Sequence, residues 1–259
     1  MKLPKSQQNP YSQGNPRCIV WEFMKNLNGS ELHLDYGTHD GAVINNFSKA
    51  NLIEAGVGVD LNREAIENAK NSSEVPKNIE LLHIQKGEKL PFEDETFTSI
   101  SFIGVLEHIH DQSSTLKELR RVLKKDGKIL IIVPGKYFLS FLDLGNLKFY
   151  FPKIHKFGYE LFVSKEAYRK RYVDCPDGLF GDIEVEKMWH QHFTHAELKG
   201  LLEENGLNVE VQDGMGFFYR IIIIISTFTP RFLSKSLKLL ADLDGKIFSS
   251  AEIGVVAKK

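Results

Sequence analysis

The chain has 259 residues, 42% of them hydrophobic and 26% charged, with a formal net charge of −1. That suits one substantial globular domain, or one domain carrying an insertion, with ample core. The near-neutral balance argues against a nucleic-acid binder, which carries a basic excess, and two cysteines, Cys18 and Cys175, are too few for a disulfide framework, so a reducing cytoplasm is the expected setting.

Residues 1–16 are rich in Pro, Gln, Asn and Ser and read as a loose arm without the apolar stretch of a signal peptide. "RCIVWEFMKNL" (17–27) reads as a short helix and "ELHLD" (31–35) as a strand. A glycine turn follows, and a helix starts over Ala42–Phe47. "LIEAGVGVD" (52–60) is a second strand, and Asn62 is a sensible N-cap for the helix "NREAIENAK". "IELLHI" (79–84) and "FTSISFI" (97–103) are the third and fourth strands. Leu116, Leu119 and Leu123 recur at helical spacing, with Gly127 read as the C-cap. "KILIIVP" (128–134) is apolar on both faces, as a central strand is. Alternating strands and helices predict an α/β fold, a parallel sheet with helices on both faces.

The alternation breaks at residues 135–190, which are aromatic-rich and read as an inserted lid. It resumes at "THAELKGLLEENGL", where Thr194 and Glu197 form a capping box and Gly206 ends the helix. "NVEVQ" (208–212) and "EIGVVAK" (252–258) are further strands. The chain thus divides into an arm (1–16), an α/β core (17–134), the lid (135–190) and a C-terminal part of the core (191–259). "FFYRIIIIISTF" (217–228) is read as a buried strand or a helix packed under a lid, with core packing favoured. With the amphipathic 231–248 behind it, peripheral membrane contact through 217–248 is the second reading.

In "LHLDYGTHDG" (32–41), Asp35 ends the first strand and Gly37 and Gly41 shape the turn. Asp60 ends the second strand 19 residues after Gly41, where a carboxylate can accept hydrogen bonds from both ribose hydroxyls. The turn glycines let the backbone approach a ligand without a Cβ in the way. Taken with "GVDLNREAIENAK", "KLPFEDETFTSISFIGVLEHIHD", "LKELRRVLKKDGKILIIVPG" and "HFTHAELKGLLEENGL", in that order, the chain resembles the class I S-adenosylmethionine-dependent methyltransferases, and within them the type 11 group. The resemblance covers roughly 30–134 and 190–212 and implies a Rossmann-like sheet of seven strands, the last antiparallel. It implies S-adenosyl-L-methionine as cofactor, held by Asp35, Gly37, Thr38, Gly41, Asp60, Leu61, Gly87, Glu88, Ile103 and Gly104. Two positions depart from the family pattern: His39 stands at the middle glycine of the first loop, and Lys86 stands where an acid accepts the adenine amino group. A lysine cannot accept that bond, so either Glu88 substitutes or adenine is held by backbone and packing.

The resemblance implies a methyl transfer to a small-molecule or sugar acceptor, at oxygen, and the aromatic lid (Tyr137, Phe138, Phe141, Phe149, Tyr150, Phe151, Tyr159) can stack on sugar rings or cover any flat apolar acceptor. Its wording is similar to that of methyltransferases of surface-glycan biosynthesis. A hydroxyl acceptor is helped by a base, and the candidates lie in "EHIHD" (107–111) and "HQHFTH" (190–195), with His108, His190 and His192 foremost. Histidines 108, 110, 190, 192 and 195 with Asp111 have spacings a metal site can use, but both clusters have separate explanations and no metal is assigned. A nicotinamide dehydrogenase would need G-x-G-x-x-G, which "GTHDGA" lacks. The competing readings are a non-catalytic partner subunit on the same fold and an enzyme acting on a lipid-linked acceptor at a membrane.

Overall fold

A computed structural model of the chain describes residues 9–11, 15, 17–27, 29–72, 75–143, 146, 148, 150–174, 191–229 and 234–259. The strands are β1 (Ser30–Tyr36), β2 (Ile53–Asp60), β3 (Ile79–His83), β4 (Phe97–Ile103), β5 (Leu123–Pro134), β6 (Asn208–Met215) and β7 (Glu252–Lys258). The helices are α1 (Arg17–Asn26), α2 (Ala42–Lys49), α3 (Arg63–Lys70), α4 (Gln112–Val122), α5 (Pro152–Phe162), α6 (Lys165–Tyr172), α7 (His195–Glu204), α8 (Tyr219–Phe228) and α9 (Ser234–Ile247).

The seven strands form one sheet in the order β3-β2-β1-β4-β5-β7-β6. Neighbours from β3 to β5 pair parallel, and β7 alone is inserted antiparallel, between β5 and β6. Strand order therefore reverses between β1 and β4, the place where open α/β sheets leave a crevice. Alternation along each strand separates two cores. Leu130 and Ile132 of β5 join Trp21, Phe47 and Ile66 of α1, α2 and α3, whereas Ile129, Ile131 and Val133 join Leu116 and Leu119 of α4 and Leu198 of α7.

Local signals explain most element ends. Asn62 accepts from the Ala65 N–H at 3.0 Å and Asp111 from the Ser114 N–H at 3.0 Å, each satisfying a helix-end donor. Thr194 and Glu197 make both bonds of the capping box. Gly206, at φ 76°, turns the chain out of α7.

Two expectations are corrected. The helix carrying Leu116 and Leu119 stops at Val122, because Leu123 is already extended and pairs with Phe97 of β4. Gly127 is therefore inside β5, behind an irregularity in which Asp126 takes φ 66° and the register moves from Phe97↔Leu123 to Ser99↔Lys128. The isoleucine run is a helix, α8, but it is not in the core. Among its described side chains only Arg220 is buried, and Ile225 is exposed. Both sheet faces already carry α1–α4 and α7, so α8 packs against α9 and a short turn at Ser140–Leu142. Among the described residues, no helix is long and apolar enough to cross a membrane.

The loop between β3 and β4 is tied down by one side chain. Arg121 of α4 donates to the Phe92 and Leu90 carbonyls at 2.8 and 3.2 Å and to Asp94 and Glu118, each at 2.7 Å. Glu118 also accepts from the Leu90 N–H at 2.7 Å. Hydrogen bonds to charged groups contribute about 1.5–3 kcal/mol. Arg121→Ala is expected to lower unfolding free energy by about 2–3 kcal/mol, read from denaturant midpoints.

Candidate active site

The crevice at the reversal of strand order is a cleft of about 530 Å³. The chain leaves β1 through five residues, of which Gly37, His39 and Gly41 take φ values of 82°, 52° and 74°. Alternate left-handed residues curl the turn so tightly that a Cβ at Gly37 would collide with Val105. His39 adopts the conformation that a glycine usually supplies. Its N–H donates to Asp60 Oδ2 at 2.7 Å, while the Asn62 N–H donates to Oδ1 at 2.8 Å. Both oxygens of Asp60 are thus oriented by backbone before any ligand arrives.

Of the ten residues the resemblance gives to the cofactor, Gly37, Asp60, Leu61, Gly87, Ile103 and Gly104 line this cleft, as do His39, His108 and Asp111. Four of the ten do not. Thr38 is buried and spends its hydroxyl on Asp35, which lies behind the turn. Gly41 begins α2 and packs toward Leu81, and Glu88 is exposed outside the cleft. Lys86 lines the wall instead, so of the two ways to hold an adenine, packing and backbone are the ones this wall offers. The cleft also contains Arg17 from α1 and Ile84, Val105 and Ile109, which sequence reasoning missed. Arg17 had no signal in the sequence, because nothing local says that α1 ends against the turn after β1.

A second cavity, about 740 Å³, opens beyond the end of β5. Phe193 pairs beside the end of β5, with its N–H on the Pro134 carbonyl and its own carbonyl on the Lys136 N–H, which sets His192 and Gln191 into the cavity wall. Gln112 in the same wall donates to the Leu106 carbonyl at 2.9 Å and to Gln191 at 3.0 Å. His192 Nε2 lies 2.6 Å from Asp143 Oδ2, and Arg220 of α8 lies 3.2 Å from the same oxygen. Neither Asp143 nor Arg220 was singled out in advance. Tyr137 donates to the Phe217 carbonyl at 2.8 Å, so lid and α8 are joined twice. At the far end of the lid, Lys170 reaches Glu64 of α3 at 3.0 Å.

The base candidates are therefore separated. His108 is in the cleft, 4.0 Å from Glu107, His192 is in the second cavity, and His190 lies outside the described residues. Among the lid aromatics, Phe141 and Tyr150 line the second cavity, Tyr159 packs on Tyr168 and Tyr172, Phe138 and Phe151 are exposed, and Phe149 lies outside the described residues. Among the described residues, no three His, Cys, Asp or Glu side chains gather as a metal site.

A methyltransferase-domain family model matches residues 19–212, well over half of the 259 residues. The chain belongs to that family. The matching model is a different numbered group from type 11. An uncharacterised protein of Methanocaldococcus jannaschii is 27% identical over 210 residues, covering 80% of this chain and 74% of that protein. An uncharacterised methyltransferase of Bacillus subtilis is 33% identical over 101 residues, which span 38% of this chain and only 39% of the relative. The fold is shared with the Burkholderia thailandensis 1,6-didemethyltoxoflavin-N1-methyltransferase, solved with its substrate and S-adenosylhomocysteine, at TM-score 0.53 and 14% identity, covering 95% of this chain and 78% of that one.

In this methyltransferase domain a buried polar chain lies behind the turn, outside the cleft lining. With Asp35 ionised, Oδ1 accepts from Ser101 at 2.6 Å and Oδ2 from Thr38 at 2.8 Å. The Ser101 hydrogen is then spent, so its oxygen accepts from His33 Nε2 at 2.9 Å. His33 Nδ1 must accept from Ser99 at 2.7 Å, and Ser99 from Ser30 at 2.7 Å. Every donor points toward Asp35. Burial raises the Asp35 carboxyl against these two bonds, and burial pushes His33 down to about 3.

A folded-state histidine held below its ordinary 6.5 stabilises the protein above that pH. The stability is lost as pH falls from 6.5 toward 3, because the unfolded chain takes up the proton first. The loss is at most about 1.4 kcal/mol per pH unit. Asp35 acts in the opposite sense, its raised carboxyl favouring low pH, so the comparison needs a variant. Urea midpoints between pH 7 and 4 are expected to fall less steeply in His33→Gln than in the parent chain.

Proposed function

We propose that the protein transfers a methyl group from S-adenosyl-L-methionine to a small-molecule or sugar acceptor, at oxygen. The observation that carries this reading is the Asp60 carboxylate, oriented by the His39 and Asn62 N–H groups beside a left-handed turn at the strand-order reversal. His39 keeps the turn in the glycine conformation, which weighs against a lost site and a purely non-catalytic role. In the cleft Asp60 would accept the ribose hydroxyls, Gly37 and Gly104 would admit the methionine part, and Leu61, Ile84 and Ile103 would pack on adenine. Arg17 supplies a cation for the methionine carboxylate. A volume of about 530 Å³ is in the usual range for such a ligand.

When bound, the cofactor supplies a methyl carbon on a sulfonium. The protein's own contribution is positioning, which accounts for much of the acceleration in displacements of this kind. The second cavity would take the acceptor, with residues 135–190 as a lid. His192, held by Asp143, is the group we assign as base. The short contact to a carboxylate fixes its ring so that it can take a hydroxyl proton.

Isothermal titration with S-adenosylmethionine and S-adenosylhomocysteine tests the cofactor assignment. Asp60→Ala is expected to weaken binding by about 10- to 100-fold, the equivalent of about 1.5–3 kcal/mol of charge-assisted hydrogen bonding. No binding of either ligand by the folded protein would refute the reading. With an acceptor found by screening nucleotide sugars and glycans, His192→Ala and Asp143→Asn are expected to lower kcat at unchanged cofactor affinity. Unchanged turnover in both would remove the base.

A further inference from the structure

The helix α5 turns the wrong face outward for a protein in water. Ile154, Phe157 and Leu161 share one face by their spacing and are 62%, 69% and 64% exposed. Its His155 and Tyr159 point the other way, against α6, with ring centroids 5.4 Å apart for Tyr159 and Tyr172 and 5.0 Å for His155 and Tyr172. Lys153 borders the apolar face, Lys156 follows it toward α6, over the Tyr168 ring at 5.7 Å and 3.9 Å from Glu160, and both are exposed. The surrounding segment is basic. Residues 135–174 hold eight Lys and Arg against four Asp and Glu, an excess of +4, in a chain whose net charge is −1. One of those four acids, Asp143, is buried.

The apolar surface continues to the second cavity. Phe141 and Tyr150 line that cavity and are 65% and 61% exposed, and the chain runs from Tyr150 through exposed Phe151 directly into α5. We propose that α5, with Tyr150 and Phe151, docks the protein on the surface of an anionic lipid bilayer, the helix lying in the interface beside the cavity mouth. An apolar helix face with lysine at its border and aromatic residues at one end has the composition of interfacial helices, whose lysines reach toward anionic headgroups. Lys136 and Lys170 are spent on Glu197 and Glu64 outside this segment. The remaining basic excess weighs against a second copy meeting this face about a two-fold axis, which would bring like charge against like charge. The inference does not rest on methyl transfer, because bilayer binding requires neither cofactor nor acceptor.

Co-sedimentation of the full chain with phosphatidylcholine vesicles, with and without phosphatidylglycerol, tests it. Binding is expected to be at least about tenfold stronger to the anionic vesicles and to weaken with salt. Phe157→Glu/Leu161→Glu is expected to lose that binding by about tenfold or more with its thermal midpoint unchanged, since both side chains are exposed. Leu243→Glu/Ile247→Glu, on the exposed face of α9, serves as the comparison and is expected to keep it. The proposal is overturned by absence of binding to anionic vesicles or by loss in the α9 variant alone. It is equally overturned if light scattering finds a dimer, without lipid, that Phe157→Glu/Leu161→Glu dissolves, or if an acidic protein takes up this face in place of lipid.

Discussion

Two backbone N–H groups on Asp60 hold the cleft together. The chain must leave a parallel strand for a helix within five residues, and in doing so it cannot also satisfy its own amides by regular structure. The turn after β1 resolves this by alternating left-handed residues, which aim the His39 N–H at the end of β2. The ends of the neighbouring strands β1 and β2 are thereby fixed to each other on one side of the crevice. Beneath them the donors from Ser30 to Ser101 all point toward Asp35, so the buried carboxylate is satisfied by oriented hydroxyls rather than by a counter-ion.

The lid is held by a different kind of interaction. Asp143 stands between His192 and Arg220, and these three come from the lid, the strap beside β5 and α8. A buried carboxylate is tolerated where cationic or protonatable partners meet it, here both on Oδ2, and removing one partner leaves a charge less compensated. The same carboxylate therefore ties residues of the 135–174 segment to His192 and to α8, while Gln112 joins Gln191 to the Leu106 carbonyl in the wall beside them.

Outside these clusters the surface is uneven. The α/β core follows the ordinary rule, with both sheet faces covered and paired charges at the rim. The lid and α8–α9 leave large apolar side chains in the open, among them Phe138, Phe157, Leu239 and Ile247. These segments come after the sheet faces are filled, so their apolar residues have no remaining core to enter. Their exposure is the common cause of the misplaced isoleucine run and of the bilayer contact argued for α5.

The amino-acid sequence alone determined what depends on near neighbours. Alternation located the strands, caps such as Asn62 and Thr194 set helix starts, and spacing put Asp60 at the ribose position of the family pattern, where the structure lines the cleft with it. Such signals act within a few residues and survive in any one-dimensional reading. Tertiary structure decided the rest. Leu123 fits helical spacing, yet pairing with Phe97 ends the helix before it. Thr38 and Gly41 stand in the family's motifs but not in the cleft, because only the curl of the turn decides which way each faces, and Glu88 is exposed on the loop after β3, outside the cleft. Arg17, Asp143 and Arg220 enter the cleft or the lid anchor from far along the chain. Their partners are chosen by strand order and lid docking, long-range contacts that leave no local pattern in the sequence.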